Sequence, residues 1–175
     1  MYFVTSNRNK FEEVKSVLTD VEQLNIDLIE IQNLDSKEII KQKILEALNH
    51  VKGEVIVEDT SLSLECLNGL PGPFVKWFSN DLLVEISEKL GNNKAAAKTI
   101  VGYAKNKEDM YFFEGSIKGT IVKPRGSLNF GWDPIFMPEG HNLTFAEIKE
   151  KNEISMRRIA LNKLNNFILN NKENI

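Results

Sequence analysis

Apolar and polar positions along this chain switch between two periods. Met1–Thr5 (MYFVT) reads as a strand. Phe11, Val14, Val17 and Leu18 then recur at helical spacing on one face, and Asn7 or Asn9 can cap that helix. Leu24–Ile31 alternates apolar and polar side chains, which predicts a half-buried strand. Asp35 with Glu38 three residues later matches a capping box. It opens a helix through Val51 with Ile40, Ile44, Leu48 and Val51 as its stripe. Gly53 ends that helix, and Glu54–Glu58 (EVIVE) predicts a third strand. A strand–helix–strand–helix–strand opening implies an α/β sheet covered by helices.

The periodicity lapses from Asp59 to Pro73, where Gly69, Pro71, Gly72 and Pro73 crowd together, and a shaped loop is expected. Helical spacing returns over Asp81–Leu90 and stops at Gly91. Ala95–Ala104 and Met110–Val122 predict two strands joined by the polar turn Lys105–Asp109, too short for a crossover and so antiparallel. Pro124–Gly140 is a second Gly/Pro-rich region. Ser155 is placed to cap a C-terminal helix with Ile159, Ala160, Leu164, Phe167 and Ile168 inward.

The 175 residues favour one domain, and 42% apolar with 27% charged residues is a globular composition. A single cysteine, Cys66, excludes an internal disulfide framework and, with two histidines, a Cys/His zinc cluster. Net charge is −3, which argues against non-specific binding to nucleic acid or to an anionic membrane. No apolar run approaches the ~18 residues of a membrane span. The first residues lack the order of charge, apolar stretch and cleavage site of a signal peptide. A cytoplasmic protein is expected.

Five segments carry candidate chemistry. Thr5-Ser6-Asn7-Arg8-Asn9-Lys10 leaves a strand and enters a helix, where backbone N–H groups and the helix dipole suit a phosphate. Glu58 and Asp59 end an apolar strand, and such carboxylates suit Mg²⁺, which takes one or two of them plus substrate phosphates. Adjacent strand residues point to opposite faces, so the two acids have separate tasks. Lys76 sits between aromatics in a Gly/Pro-shaped segment and is a candidate phosphate contact. Phe130-Gly131-Trp132-Asp133 offers rings for stacking and a carboxylate for ring N–H groups. Lys151 and Arg157 flank a predicted helix start, and an arginine can donate to a carbonyl where it cannot donate to an amino group. Each segment alone fits an ordinary cap, turn, core aromatic or solvated face at least as well.

Together the segments resemble the inosine triphosphate pyrophosphatase family from Met1 to about Ile168. The matching stretches are TSNRNKFEEV (5–14), VEDTSL (57–62), LNGLPGPFVKWF (67–78), FGWDPIF (130–136), TFAEI (144–148) and ISMRRIAL (154–161). The resemblance implies one domain over 1–175, with an elongated mixed β-sheet flanked by helices and two lobes about a central cleft. It also implies a homodimer, and hydrolysis of ITP, dITP and XTP to the monophosphate and pyrophosphate with Mg²⁺, or Mn²⁺ in its place. By motif, Thr5, Ser6, Asn7, Arg8, Asn9 and Lys10 would hold the phosphates, joined by Lys43, Lys76 and Lys151. Asp59 and Glu30 would hold the metal, with Thr60 on the ligand and Asp59 or Glu58 activating water beside Lys10. Phe130, Gly131, Trp132 and Asp133 would line the base pocket, and Arg157 would meet the 6-oxo group. The family's Ser-His-Arg is Ser155-Met156-Arg157 here. Met156 lacks an imidazole N–H, which puts base selectivity in question. The rival expectations are the same chemistry on another base, and a weakly catalytic nucleotide-binding protein.

Overall fold

The computed structural model describes residues 1–127 and 131–172. Among these residues seven strands form one mixed sheet. They are β1 (Tyr2–Val4), β2 (Glu22–Leu24), β3 (Val55–Leu64), β4 (Pro71–Gly72), β5 (Lys94–Ala104), β6 (Met110–Ile121) and β7 (Phe136–Pro138). The helices are α1 (Arg8–Lys15), α2 (Ser36–His50), α3 (Asn80–Lys89), α4 (Lys151–Ile154) and α5 (Met156–Lys172). Strand order is β2-β1-β3-β5-β6-β7, with β4 paired to β3. β1 runs parallel to β2 and β3, whereas β4 and β7 are antiparallel to β3 and β6. No helix among the described residues is long and apolar enough to cross a membrane.

The chain divides into two compact units, and β3, β5 and β6 each contribute residues to both. Unit 1 is Met1–Asp59, Thr99–Gly115 and Arg157–Ile175, of which 173–175 lie outside the described residues. Its sheet is covered on both faces. Phe3 and Ile56 pack with Val14 and Leu18 of α1 and with Ala160, Leu161 and Leu164 of α5. Val4, Val55 and Val57 point the other way, onto Ile40, Ile44 and Ala47 of α2. The period of two along β3 therefore sends Glu58 toward α1 and α5, and Asp59 toward α2. Gly102 is needed for this packing, because a Cβ there would lie 2.3 Å from Ile40 Cγ2.

Unit 2 is Thr60–Lys98 and Ser116–Met156. Its core gathers Leu62, Leu64, Leu83, Ile121, Ile135, Phe136, Phe145 and Met156. α3 is capped by Ser79, whose hydroxyl accepts from the Leu82 N–H, and stops at Gly91 with φ +66°.

Three sequence expectations need correction. The strand predicted over Leu24–Ile31 stops at Leu24, because its partner β1 ends at Val4 and offers no further ladder. The predicted loop over 59–73 begins instead as strand: β3 runs on to Leu64 and pairs with β4, so Asp59 and Thr60 lie mid-strand. The capping box does not close reciprocally. Asp35 accepts from the Lys37 N–H at 2.8 Å, while the Asp35 N–H donates to Asn33 Oδ1 rather than to Glu38.

Candidate active site

The turn between β1 and α1 is built by its own side chains. Thr5 Oγ1 accepts from the Asn7 N–H at 3.1 Å, and Asn7 Oδ1 accepts from the Lys10 N–H at 3.1 Å. Asn7, rather than Asn9, is therefore the cap. Ser6, Arg8 and Asn9 are exposed around it, and Arg8 lies 3.6 Å from Glu12. This turn and the first turn of α1 present donors and positive charge on one side of unit 1.

Behind the turn lies a network of cations and carboxylates. Lys10 pairs with Glu58. Arg157, only 2% exposed, donates from Nε to Glu58 Oε2 at 3.1 Å and from Nη1 to Glu13 Oε2 at 2.7 Å. On the α2 side, Lys43 Nζ donates to Glu30 Oε1 at 2.5 Å and to the Glu58 carbonyl at 3.2 Å, and stands 3.6 Å from Asp59 Oδ1. Lys10, Lys43 and Arg157 thus face Glu13, Glu30, Glu58 and Asp59 across β3.

The two acids of β3 are tuned apart. Burial acts to raise the Glu58 carboxyl, but Lys10 and Arg157 beside it prevail and hold it well below the usual carboxylate range. Burial also raises Asp59, and there the result is upward, with Lys43 opposing and Glu58 and Glu30 adding to the rise. Lys43 is pulled down by burial but pushed further up by Asp59, Glu30 and Glu58, so it stays charged. Asp59 Oδ2 is buried and accepts no hydrogen bond. An acceptor left in this condition costs about 1–3 kcal/mol, and a hard cation or a proton relieves it. Among the described residues no three His, Cys, Asp or Glu side chains converge on a metal-sized site. Asp59 with Glu30 is the donor set that suits Mg²⁺, an ion that usually completes its shell with water and substrate phosphates.

Unit 2 holds a second candidate set. Asp133 is 6% exposed and pairs with Lys151 Nζ at 2.5 Å. Lys151 also lies 5.4 Å from the Phe145 ring centroid. Trp132 is half-buried, edge-on to Phe136 at 5.5 Å. Gly131 has φ +47°, and its carbonyl accepts from Asn80 Nδ2 at 3.0 Å. Thr60 opens the unit 2 part of β3. Phe130 lies outside the described residues. Lys76 is exposed, with Nζ 5.4 Å from the ring of Trp77.

Two of the expected site residues lie in buried surroundings. Met156 is 2% exposed and packs in the unit 2 core. The motif points Arg157 at a 6-oxo group. Its guanidinium bridges two buried carboxylates, and charge-assisted hydrogen bonds make such burial tolerable. Lys151 and Arg157, neighbours in one motif, take their partners in different units. Glu13 is a participant that the motifs do not single out. Its signal in the sequence is a carboxylate on the same helical face as Val14 and Val17, where an apolar side chain is expected.

A model of the Ham1 family matches residues 1–167. The inosine triphosphate pyrophosphatase of Schizosaccharomyces pombe is 41% identical over 180 residues, covering 97% of this chain and 95% of that protein. The protein of the same name from Kluyveromyces lactis is 39% identical over 185 residues, with 96% and 95% covered. Among solved structures, a HAM1 protein from Coxiella burnetii superposes with a TM-score of 0.84 at 26% identity, covering 97% of this chain and 99% of that one. The Staphylococcus aureus Ham1 protein gives 0.80 at 25%, covering 98% and 100%. Matched over nearly its whole length in sequence and in backbone, this chain belongs to the Ham1 family.

Proposed function

We propose that the protein hydrolyses deaminated purine nucleoside triphosphates, ITP, dITP and XTP, to the monophosphate and pyrophosphate. The observation that carries this reading is the open oxygen of Asp59, buried without a partner within reach of the Lys43 and Lys10 cluster. Lys10, Lys43 and the donors of Thr5, Ser6, Asn7, Arg8 and Asn9 bind the triphosphate, with Lys76 as an outer contact. At 4 Å and an effective dielectric near 20, each close charge pair is worth about 4 kcal/mol. A chain of net charge −3 therefore binds a polyanion where its cations are concentrated.

Asp59 and Glu30 are the residues that hold Mg²⁺, with Mn²⁺ its alternative; when bound, the ion offsets phosphate charge and makes an attacking water more acidic. Asp59 Oδ2 is the atom on the reacting side. Glu58 is a poor proton acceptor while Lys10 and Arg157 hold it low, because an efficient base titrates near the working pH. Its task is to anchor Lys10. Water attacks the α-phosphorus and pyrophosphate leaves.

Base recognition falls to Phe130, Gly131, Trp132, Asp133 and Lys151, with Thr60 on the ligand; the Met156 backbone remains available to a ligand. A site built around a substrate hydrogen bond rejects the analogue lacking it by up to ~10⁴–10⁵-fold. A homodimer is part of the same reading and is read by sedimentation. The test is pyrophosphate release from ITP, XTP, GTP and ATP side by side, with Mg²⁺ and with EDTA. ITP and XTP are expected to turn over well ahead of ATP and only with the ion. Equal rates on all four, or turnover that EDTA leaves intact, would sink the reading.

A further inference from the structure

Glu58 and Asp59 are held by a sheet, but Glu30 is not. It lies on a segment, residues 25–35, without helix or strand. Leu28 packs against the α2-side cluster, whereas Ile29 is 73% and Leu34 64% exposed. Beyond Leu28 the path of the segment therefore owes little to apolar burial. Among the described residues, two polar side chains of α2 bond to this stretch. Lys43 bonds the Glu30 carboxylate, and Glu46 Oε2 accepts the backbone N–H of Ile29 at 2.8 Å. Residues three apart are neighbours on a helix surface, so both contacts come from one face. They differ in kind. Lys43 also bonds the Glu58 carbonyl and faces Asp59, and in the reading above it turns to the phosphates. The Glu46 contact holds backbone and asks nothing of the cation cluster.

We propose that Glu46 is a positioning residue, which pins the amide next to Glu30 and so keeps the Glu30 carboxylate in place for the metal. This rests on the reading of Glu30 as a metal ligand. A charge-assisted bond to a backbone N–H is one of the stronger kinds, and a metal ligand left loose by even 1 Å binds poorly.

The test compares full-length Glu46→Ala, Glu46→Gln and Glu30→Gln with the native protein. In Glu46→Ala the metal-free Ile29 amide should exchange with deuterium at least tenfold faster. The Mg²⁺ concentration for half-maximal ITP turnover should rise about tenfold, with kcat at saturating Mg²⁺ within about twofold of native. Glu46→Gln keeps an acceptor oxygen and should restore both values to within about threefold. Glu30→Gln should raise the Mg²⁺ requirement at least as much while leaving Ile29 exchange unchanged. If Glu30→Gln leaves the Mg²⁺ requirement as it was, the metal reading of Glu30 fails and the proposal with it. If Glu30→Gln responds but Glu46→Ala does not, or if Ile29 exchange is unmoved, the positioning role alone is overturned. A Glu46→Ala loss confined to kcat would likewise overturn it.

Discussion

Replacing Arg157 by methionine keeps a long aliphatic side chain in a buried place and removes its charge. Glu13 at 2.7 Å and Glu58 at 3.1 Å then lose a hydrogen-bonded cation where water has little access. Removing one partner of a buried ion pair costs about 3–5 kcal/mol. For a chain of this length each kcal/mol shifts Tm by roughly 2–4 °C, so the expected loss is roughly 6–20 °C. The loss also depends on pH. Burial opposes the ionised Glu58, yet Lys10 and Arg157 bring its folded value well below the usual range. A carboxyl lowered in this way stabilises the fold above its unfolded value, about 4.3. That stability is lost as pH falls through the folded value. In the variant Glu58 protonates more readily, which relieves its stranded charge in acid. The gap between native and variant is therefore widest near pH 7 and narrows below about pH 5. Scanning calorimetry at both pH values reads it. A gap under about 3 °C at pH 7, or one equally wide in acid, would refute the reasoning. Adding Glu13→Gln to the variant removes one stranded charge and should recover several degrees.

Asp59→Asn should cut ITP turnover by more than ~10²-fold with little loss of Tm, since burial already disfavours the ionised form; near-native pyrophosphate release would remove Asp59 from the mechanism. Met156→His should not sharpen the preference for ITP over GTP, and should lower stability by about 1–3 kcal/mol by placing a polar ring in an apolar core; urea unfolding and paired kcat/KM values measure both. Gly102→Ala forces a methyl against Ile40 and Ile44 and should cost about 1–3 kcal/mol in thermal or urea unfolding, an insertion that a yielding α2 would make harmless.

Local signals are readable wherever one segment settles its own conformation. Asn7 caps α1, Ser79 caps α3 and Gly91 ends the latter by bonds or backbone angles within a few residues. The apolar stripe Ile40 and Ile44 faces the core as its spacing requires. Errors arise where a partner decides. Leu24–Ile31 alternates like a strand, but a strand needs a neighbour, and β1 is too short to supply one past Leu24. Ser61, Leu62, Ser63 and Leu64 look like loop beside Gly and Pro, yet β4 returns to pair with Leu62 and Ser63.

The site divides along the same line. The polar turn from Thr5 to Lys10 and the adjacent carboxylates Glu58 and Asp59 are legible before any coordinates, because strand, turn and helix chemistry is written in neighbouring positions. Which cation meets which carboxylate is not so written. Arg157 finds Glu13 across 144 positions and Glu58 across 99. Met156, one residue earlier, turns into a different core. Burial makes those pairings obligatory, and burial is a property of the packed chain: periodicity names the face a side chain takes, and only tertiary contact names what that face meets.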